Sequence, residues 1–131
     1  MATTKRSETV LHLAAGHIDT VKYLINECHC DPMATDINKK TILHEAAHWN
    51  SPDVVKYLID ECHCDSMAVD RVRWTPLHTT AHYGSSAAAE YLLSTGKCDP
   101  LAKDNWGSTP FKLAKERGNT DTLSVLKNQS C

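Results

Sequence analysis

An all-α solenoid of stacked helix-turn-helix units is the fold this sequence predicts, and three observations predict it. The phrase Thr75-Pro76-Leu77-His78 returns 34 residues earlier as Thr41-Ile42-Leu43-His44 and 34 residues later as Thr109-Pro110-Phe111-Lys112, with Thr9-Val10-Leu11-His12 opening the series. Gly16, Asn50, Gly84 and Gly118 repeat at the same interval, each where a helix begun by the phrase has to end. Between these markers the apolar residues recur at helical spacing. A fixed period in the thirties marks an array whose units bury their apolar faces against one another.

Each element has a local cause. The Thr hydroxyl can accept a first-turn amide that no helical carbonyl reaches, and Pro76 and Pro110 follow where a missing N–H costs nothing. Gly16, Asn50, Gly84 and Gly118 are then expected to close the first helix in the left-handed conformation. The second helix is expected to begin near Ile18, Pro52, Ser86 and Thr120. Its core residues are Val21, Leu24 and Ile25, then Val54, Val55, Leu58 and Ile59, then Ala88, Leu92 and Leu93, then Leu123 and Leu126. Tyr23, Tyr57 and Tyr91 share one position, with Val125 in the fourth copy, and are expected to pack with the hydroxyl near the surface. Cys28-His29-Cys30-Asp31 and Cys62-His63-Cys64-Asp65 follow, varied to Gly96-Lys97-Cys98-Asp99. Gly96 implies that Cys28 and Cys62 occupy strained or altered helix caps.

A period in the low thirties headed by Thr-Pro-Leu-His, together with Ala14-Ala15, Ala46-Ala47 and the helix-ending Gly or Asn, resembles the ankyrin repeat. The resemblance covers essentially the whole chain as a single domain, with units of approximately 1–34, 35–68, 69–102 and 103–131. It implies hairpin-like fingers over Asp31 to Thr41, Asp65 to Thr75 and Asp99 to Thr109. Asp36, Asp70 and Asp104 recur there as expected acceptors for loop amides. Departures from the family pattern are Val10 and Ile42 for its Pro, Lys112 for its His, and Lys39 and Arg73 where the last finger keeps Gly107. The fingers at Lys39 and Arg73, those of the second and third units, are therefore expected to bend unusually. The family pattern closes the second helix one residue sooner, which accounts for 34 in place of 33.

Composition narrows the function. The chain has 131 residues, 41% hydrophobic and 23% charged, which suits one domain with a core of small aliphatic side chains. A net charge of −2 argues against coating nucleic acid or an anionic membrane. No apolar run approaches the roughly 18 residues of a membrane span, and the first residues enter the repeat pattern without an apolar leader. Cys30, Cys64 and Cys98 are copies of one position, as are Cys28 and Cys62. Neighbouring units stand about 8–10 Å apart, beyond the roughly 7 Å between Cα atoms that a disulfide tolerates. Reduced thiols and an intracellular, cytoplasmic setting are expected. The short first unit and the polar last unit, through Lys127, Asn128, Gln129 and Ser130, read as caps.

Chemistry-bearing motifs also fall within this framework. His44-Glu45-Ala46-Ala47-His48 matches H-E-x-x-H, in which two His bind zinc and the Glu activates water. His44 is, however, the repeat equivalent of His12 and His78, expected to bond back to Thr41 and across to a neighbouring carbonyl, and Glu45 has no counterpart. His78 and His82 form a second such pair, and the Cys-His-Cys copies invite a zinc reading that the repeat spacing disfavours. No catalytic residue, metal or cofactor is assigned. A zinc-dependent hydrolase at the motif and a purely structural spacer remain the alternatives to a non-catalytic scaffold for protein recognition.

The resemblance implies that a protein partner meets the finger tips and the first-helix face. These map onto Ile37, Asn38, Lys40, His48 and Trp49, then Arg71, Val72, Trp74, His82 and Tyr83, then Asn105 and Trp106. All three tryptophans fall in this set, and Trp, Tyr and Arg dominate interface energetics. Trp74 and Trp106 could instead stiffen adjacent fingers. Lys39, Lys40, Arg71, Arg73 and Lys103 add a basic lean, so a monomer that binds a partner with an acidic rim and an apolar pocket is expected.

Overall fold

The computed structural model describes His12 and residues 14–129, the side chains to Lys127. The opening Thr9-Val10-Leu11, Leu13, Ser130 and Cys131 lie outside the described residues. Seven helices are present among those described: α1 (Ile18–Asn26), α2 (Ile42–His48), α3 (Pro52–Asp60), α4 (Pro76–Tyr83), α5 (Ser86–Ser94), α6 (Pro110–Arg117) and α7 (Thr120–Gln129). They form two rows. α2, α4 and α6 stand side by side in one, α1, α3, α5 and α7 in the other, and each pair α2–α3, α4–α5 and α6–α7 packs across the rows.

The Thr residues start their helices as their chemistry requires. Thr41 and Thr75 each accept the N–H of the histidine three residues on, and that histidine accepts the Thr N–H in return. Thr109 keeps half of this device, accepting Lys112 N–H at 3.2 Å, because Lys112 has no acceptor to return. The core lies between the rows: Ile42, Leu43, Val54, Leu58, Leu77, Leu92 and Leu126 are fully buried, with Ala46, Ala47, Ala81, Ala88, Ala89 and Ala114 where helices come closest. Each buried aliphatic of Leu size contributes about 1.5–3 kcal/mol. The small residues let the rows approach.

Asn50, Gly84 and Gly118 do close their helices with positive φ, at 52°, 72° and 71°. Gly16 does not. Its unit is two residues shorter between the histidine and the glycine, so the chain leaves His12 through a tight turn, His17 N–H to Ala14 O at 2.9 Å. The second-helix caps at Cys28 and Cys62 are altered, and the strained residue is the one after each. Positive φ falls on His29 and His63, at 57° and 56°, instead of Cys28 and Cys62, because Cys28 and Cys62 N–H still reach the Tyr23 and Tyr57 carbonyls and the chain reverses one residue later. Gly96 reverses at once. Tyr57 and Tyr91 pack on the core and donate to Asn26 Oδ1 and Asp60 Oδ2, whereas Tyr23 is largely exposed.

The fingers are regular, contrary to the expected distortion. Asp36, Asp70 and Asp104 each accept two loop amides on Oδ1, from Asn38 and Lys40, Val72 and Trp74, and Trp106 and Ser108. Lys39 and Arg73 adopt φ of 63° and 65°, beside 76° for Gly107. The aspartate clamp imposes one bend on all three. Fingers also bond to one another: Arg71 N–H donates to Asn38 O and Asn105 N–H to Val72 O, both at 3.0 Å.

Candidate partner-binding surface

His44 and His78 bind the units together. The Nδ1 of His44 accepts Thr41 N–H at 3.1 Å, which leaves the proton on Nε2, and Nε2 donates to Trp74 O at 2.7 Å. His78 repeats this with Thr75 and Ser108. Burial pushes both pKa values down, against the raising effect of the carbonyl bonds. With both ring nitrogens committed, His44 has no lone pair for a metal. The H-E-x-x-H match thus lacks a ligand. Among the described residues no group of three His, Cys, Asp or Glu side chains is placed to hold a metal ion.

The second histidine of that motif belongs to a different array. His48 touches Trp49 edge-on (ring centroids 4.8 Å apart) and Tyr83 (4.2 Å); Tyr83 touches His82 (4.7 Å), and His82 touches Trp74 (4.9 Å). Five rings form an unbroken ribbon from Trp49 to Trp74 across the ends of α2 and α4. Helix geometry places them: each pair sits in the last turn of a first helix or just past it, on adjacent helices of one row. Edge-on pairs of this kind contribute about 0.5–1.5 kcal/mol each beyond burial. The His48 pKa is lowered by burial and by Lys40, and that of His82 by burial, Arg117, His48 and Lys40. At neutral pH the ribbon is uncharged and flanked by cations.

The other expected contact residues divide into those held by the fold and those left open. Trp74 is half-buried, with its Nε1–H donating to Asp104 Oδ2 at 2.9 Å, so it is both ribbon and framework. Arg71 spends its Nε–H on Ile37 O at 2.7 Å, and Asn105 its Nδ2–H on Arg71 O at 3.3 Å. Asn38 and Val72 supply the carbonyls between fingers. Lys40 is half-buried, its carbonyl accepting from His12 Nε2 at 2.8 Å. Trp49 is 59% exposed and Tyr83 46%; Ile37 at 50% and Trp106 at 70% stand apart on the fingers, joined to no ring of the ribbon. Asn119 was not anticipated as a site residue. Its Nδ2 donates to Ala81 O and His82 O and fixes the end of α4, a task that the repeat equivalent Ser85 performs toward His48 O.

Cys28, Cys30, Cys62, Cys64 and Cys98 are free thiols. Burial pushes Cys64 up to about 12 and raises Cys62 and Cys98, so these three stay protonated at neutral pH. No described helix is long and apolar enough to cross a membrane. Among curated proteins none matches the chain. A family model for ankyrin repeats in three copies matches residues 2–70, and one for ankyrin repeats in many copies matches residues 62–114. With its capped helix pairs, clamped fingers and these matches, the chain belongs to the ankyrin-repeat family.

Proposed function

We propose that this chain is a non-catalytic protein-recognition module whose contact surface is centred on the ring ribbon. Ankyrin repeats are generally protein–protein interaction modules; the particular surface here is this chain's own. The observation that carries the proposal is the ribbon itself: five touching rings, open at Trp49 and Tyr83, with their polar neighbours already bonded into the fold. Rings held by one another lose little freedom on binding, and rigid aromatic anchors are what interfaces use for most of their energy. Ile37 and Trp106 extend the contact to the fingers. Lys40 and Arg117 beside the histidines, with Lys39, Arg71, Arg73 and Lys103 on the fingers, favour a protein partner with an acidic rim around an apolar anchor. The chain acts as a monomer in this scheme.

Affinity capture from lysate tests it, with the native chain beside Trp49→Ala/Tyr83→Ala and beside Trp106→Ala, each checked for folding by circular dichroism. A partner held by the native chain and lost by the double variant establishes the ribbon as the contact. Equal capture by all three removes the ribbon from the interface. Absence of any partner with the native chain favours a structural spacer.

A further inference from the structure

Each unit seats the next through the same few groups. The Cys64 thiol donates to Pro32 O at 3.7 Å, the Cys98 thiol reaches Ser66 O at 4.0 Å, and Asp99 N–H donates to Met67 Sδ at 3.3 Å. On the fingers, Arg71 takes Ile37 O and Asn38 O, and Asn105 takes Arg71 O and Val72 O. At the repeat interval the same groups return in the fourth unit as Pro100 O, the Leu101 side chain, Asn105 O and Trp106 O. No described residue bonds to these three carbonyls. Beside them lies a hollow of about 330 Å³, walled by Pro100, Leu101 and Phe111 and floored by Leu126. Leu101 is 68% exposed, and Phe111 is only half-buried where its equivalents Leu43 and Leu77 are fully buried.

The residues around this seat differ from those that receive a like unit. Lys112 stands in the place of His44 and His78, Lys115 in that of Ala47 and Ala81, and Lys127, which lines the hollow, in that of Ile59 and Leu93. His44, His78, Ala47, Ala81 and Ile59 are buried, whereas all three lysines are exposed. A unit of the same kind laid here would bury Lys112 and Lys115, and a buried charge without a partner is among the costliest features a contact can contain. A second copy of this chain would bring Cys30 in the place of Cys64, and Cys30 is itself buried. Asp99, next to Pro100, already accepts Leu101 N–H at 2.9 Å. The seat is therefore apolar at its centre and cationic around it.

We infer that this end face docks an extended acidic segment of a partner protein. Its backbone N–H groups meet Asn105 O and Trp106 O, one aliphatic side chain enters the hollow, and its carboxylates face Lys112, Lys115 and Lys127. The finger carbonyls accept from an extended chain as Asn38 O and Val72 O accept from the next finger, and they give affinity without selecting sequence. Selection comes from the apolar lining, which sets the anchor, and from the lysines, which set the charge. The stretch Cys98–Asn105, whose two ends meet Ser66 O and Val72 O, shows the length of chain that covers one seat. The end face shares no ring with the ribbon, and its role stands whether or not the ribbon holds a partner.

The test is amide NMR on the whole chain, titrated with the acetylated peptide amide Ala-Leu-Asp-Glu-Ser-Ala-Glu-Ser and, separately, with the same peptide carrying Lys in place of each acid. Saturable movement of the Leu101, Trp106 and Phe111 resonances is expected with the acidic peptide and not with the basic one. Lys112→Glu/Lys115→Glu should weaken the acidic peptide about tenfold and allow the basic one to bind. Leu101→Ser should weaken the acidic peptide about tenfold with the charge unchanged. These side chains are exposed, so the variants keep the fold, which circular dichroism checks. Absence of saturable movement overturns the inference, as does equal binding of the two peptides or a charge-reversed chain that binds as the native one does. Movement confined to Trp49 and Tyr83 places the segment on the ribbon and overturns it too. Seat resonances that shift when the chain alone is diluted give the seat to a second copy, with the same consequence.

Discussion

Replacing Lys39 and Arg73 by glycine should stabilise the protein. Both residues hold left-handed backbone, at φ of 63° and 65°, because Asp36 and Asp70 clamp the turn around them, and both side chains are exposed. A side chain in that region costs about 1–2 kcal/mol relative to the right-handed form. Glycine removes that cost but gives back about 0.5–1 kcal/mol through the greater freedom of its unfolded chain. The net gain is about 0.5–1 kcal/mol per site. The double variant should gain about 1–2 kcal/mol, which for a chain of this size raises the melting midpoint by about 3–6 °C. Urea unfolding followed by circular dichroism measures it. Lys39→Ala/Arg73→Ala is the control, since alanine loses the long side chains but keeps the Cβ. Gly107→Ala, at φ 76°, is the reciprocal variant and should lose about 1 kcal/mol. If the alanine and glycine double variants unfold at the same midpoint, backbone strain is not the quantity involved and the argument fails.

Other expectations follow from the hydrogen bonds. Trp74→Phe keeps a ring in the ribbon but loses the bond to Asp104, and should cost about 1–2 kcal/mol in urea unfolding. Burial pushes the Asp104 pKa up, but bonds from Ser108, Trp74 and Trp106, with His78 nearby, outweigh it and hold the carboxyl below its ordinary 3.8. Its stabilising effect is therefore present above 3.8 and lost as the pH falls through the lower folded value, and Trp74→Phe should begin acid unfolding at higher pH. His44 and His78 resist protonation in the fold, so below 6.5 the unfolded chain takes up protons that the native chain refuses. The urea midpoint should be level above about pH 7 and fall between pH 6.5 and 5, and a level midpoint throughout would contradict the buried neutral tautomer. Trp49→Ala should cost about 0.5–1.5 kcal/mol of stability through the lost edge contact with His48, while costing about 2 kcal/mol or more of partner affinity, read by titration against the captured partner.

Most of the framework was legible because it is made by local chemistry copied at a fixed interval. The Thr41, Thr75 and Thr109 caps and the aspartate clamps each follow from a side chain bonding to backbone within a few residues, whereas the second helices, begun at His17, Ser51 and Ser85 without a side-chain cap, follow from the spacing of their apolar residues. The misreadings have one origin, the assumption that copied position means copied conformation. Gly16 occupies the place of Gly84 but follows its histidine by four residues instead of six, so its left-handed turn disappears. Cys28 occupies the place of Gly96, yet its amide still reaches a helical carbonyl and the reversal moves to His29. The absence of glycine at positions 39 and 73 suggested a different bend, although the clamp fixes the bend and the residue bears the strain.

The contact surface was legible as a set of residue types but not as an arrangement, because arrangement depends on packing between units. Trp49, Trp74, His48, His82 and Tyr83 could be named from sequence, whereas their meeting in one line depends on how far α4 is displaced beside α2. That displacement is set by the carbonyl that each framework histidine finds in the next unit, Trp74 O for His44 and Ser108 O for His78. The same bonds that make His44 useless as a metal ligand therefore hold the two ends of the ribbon in register. Motif and surface are coupled: H-E-x-x-H places one histidine in the joint between units and the other on the face which that joint positions. Substituting His44 should consequently disturb the ribbon rings, which His44 does not touch, and substituting His48 should leave the joint intact. Ring proton shifts of Tyr83 and Trp74 in the two variants distinguish this coupling from two unrelated roles. Movement in the His44 variant is the result that supports it.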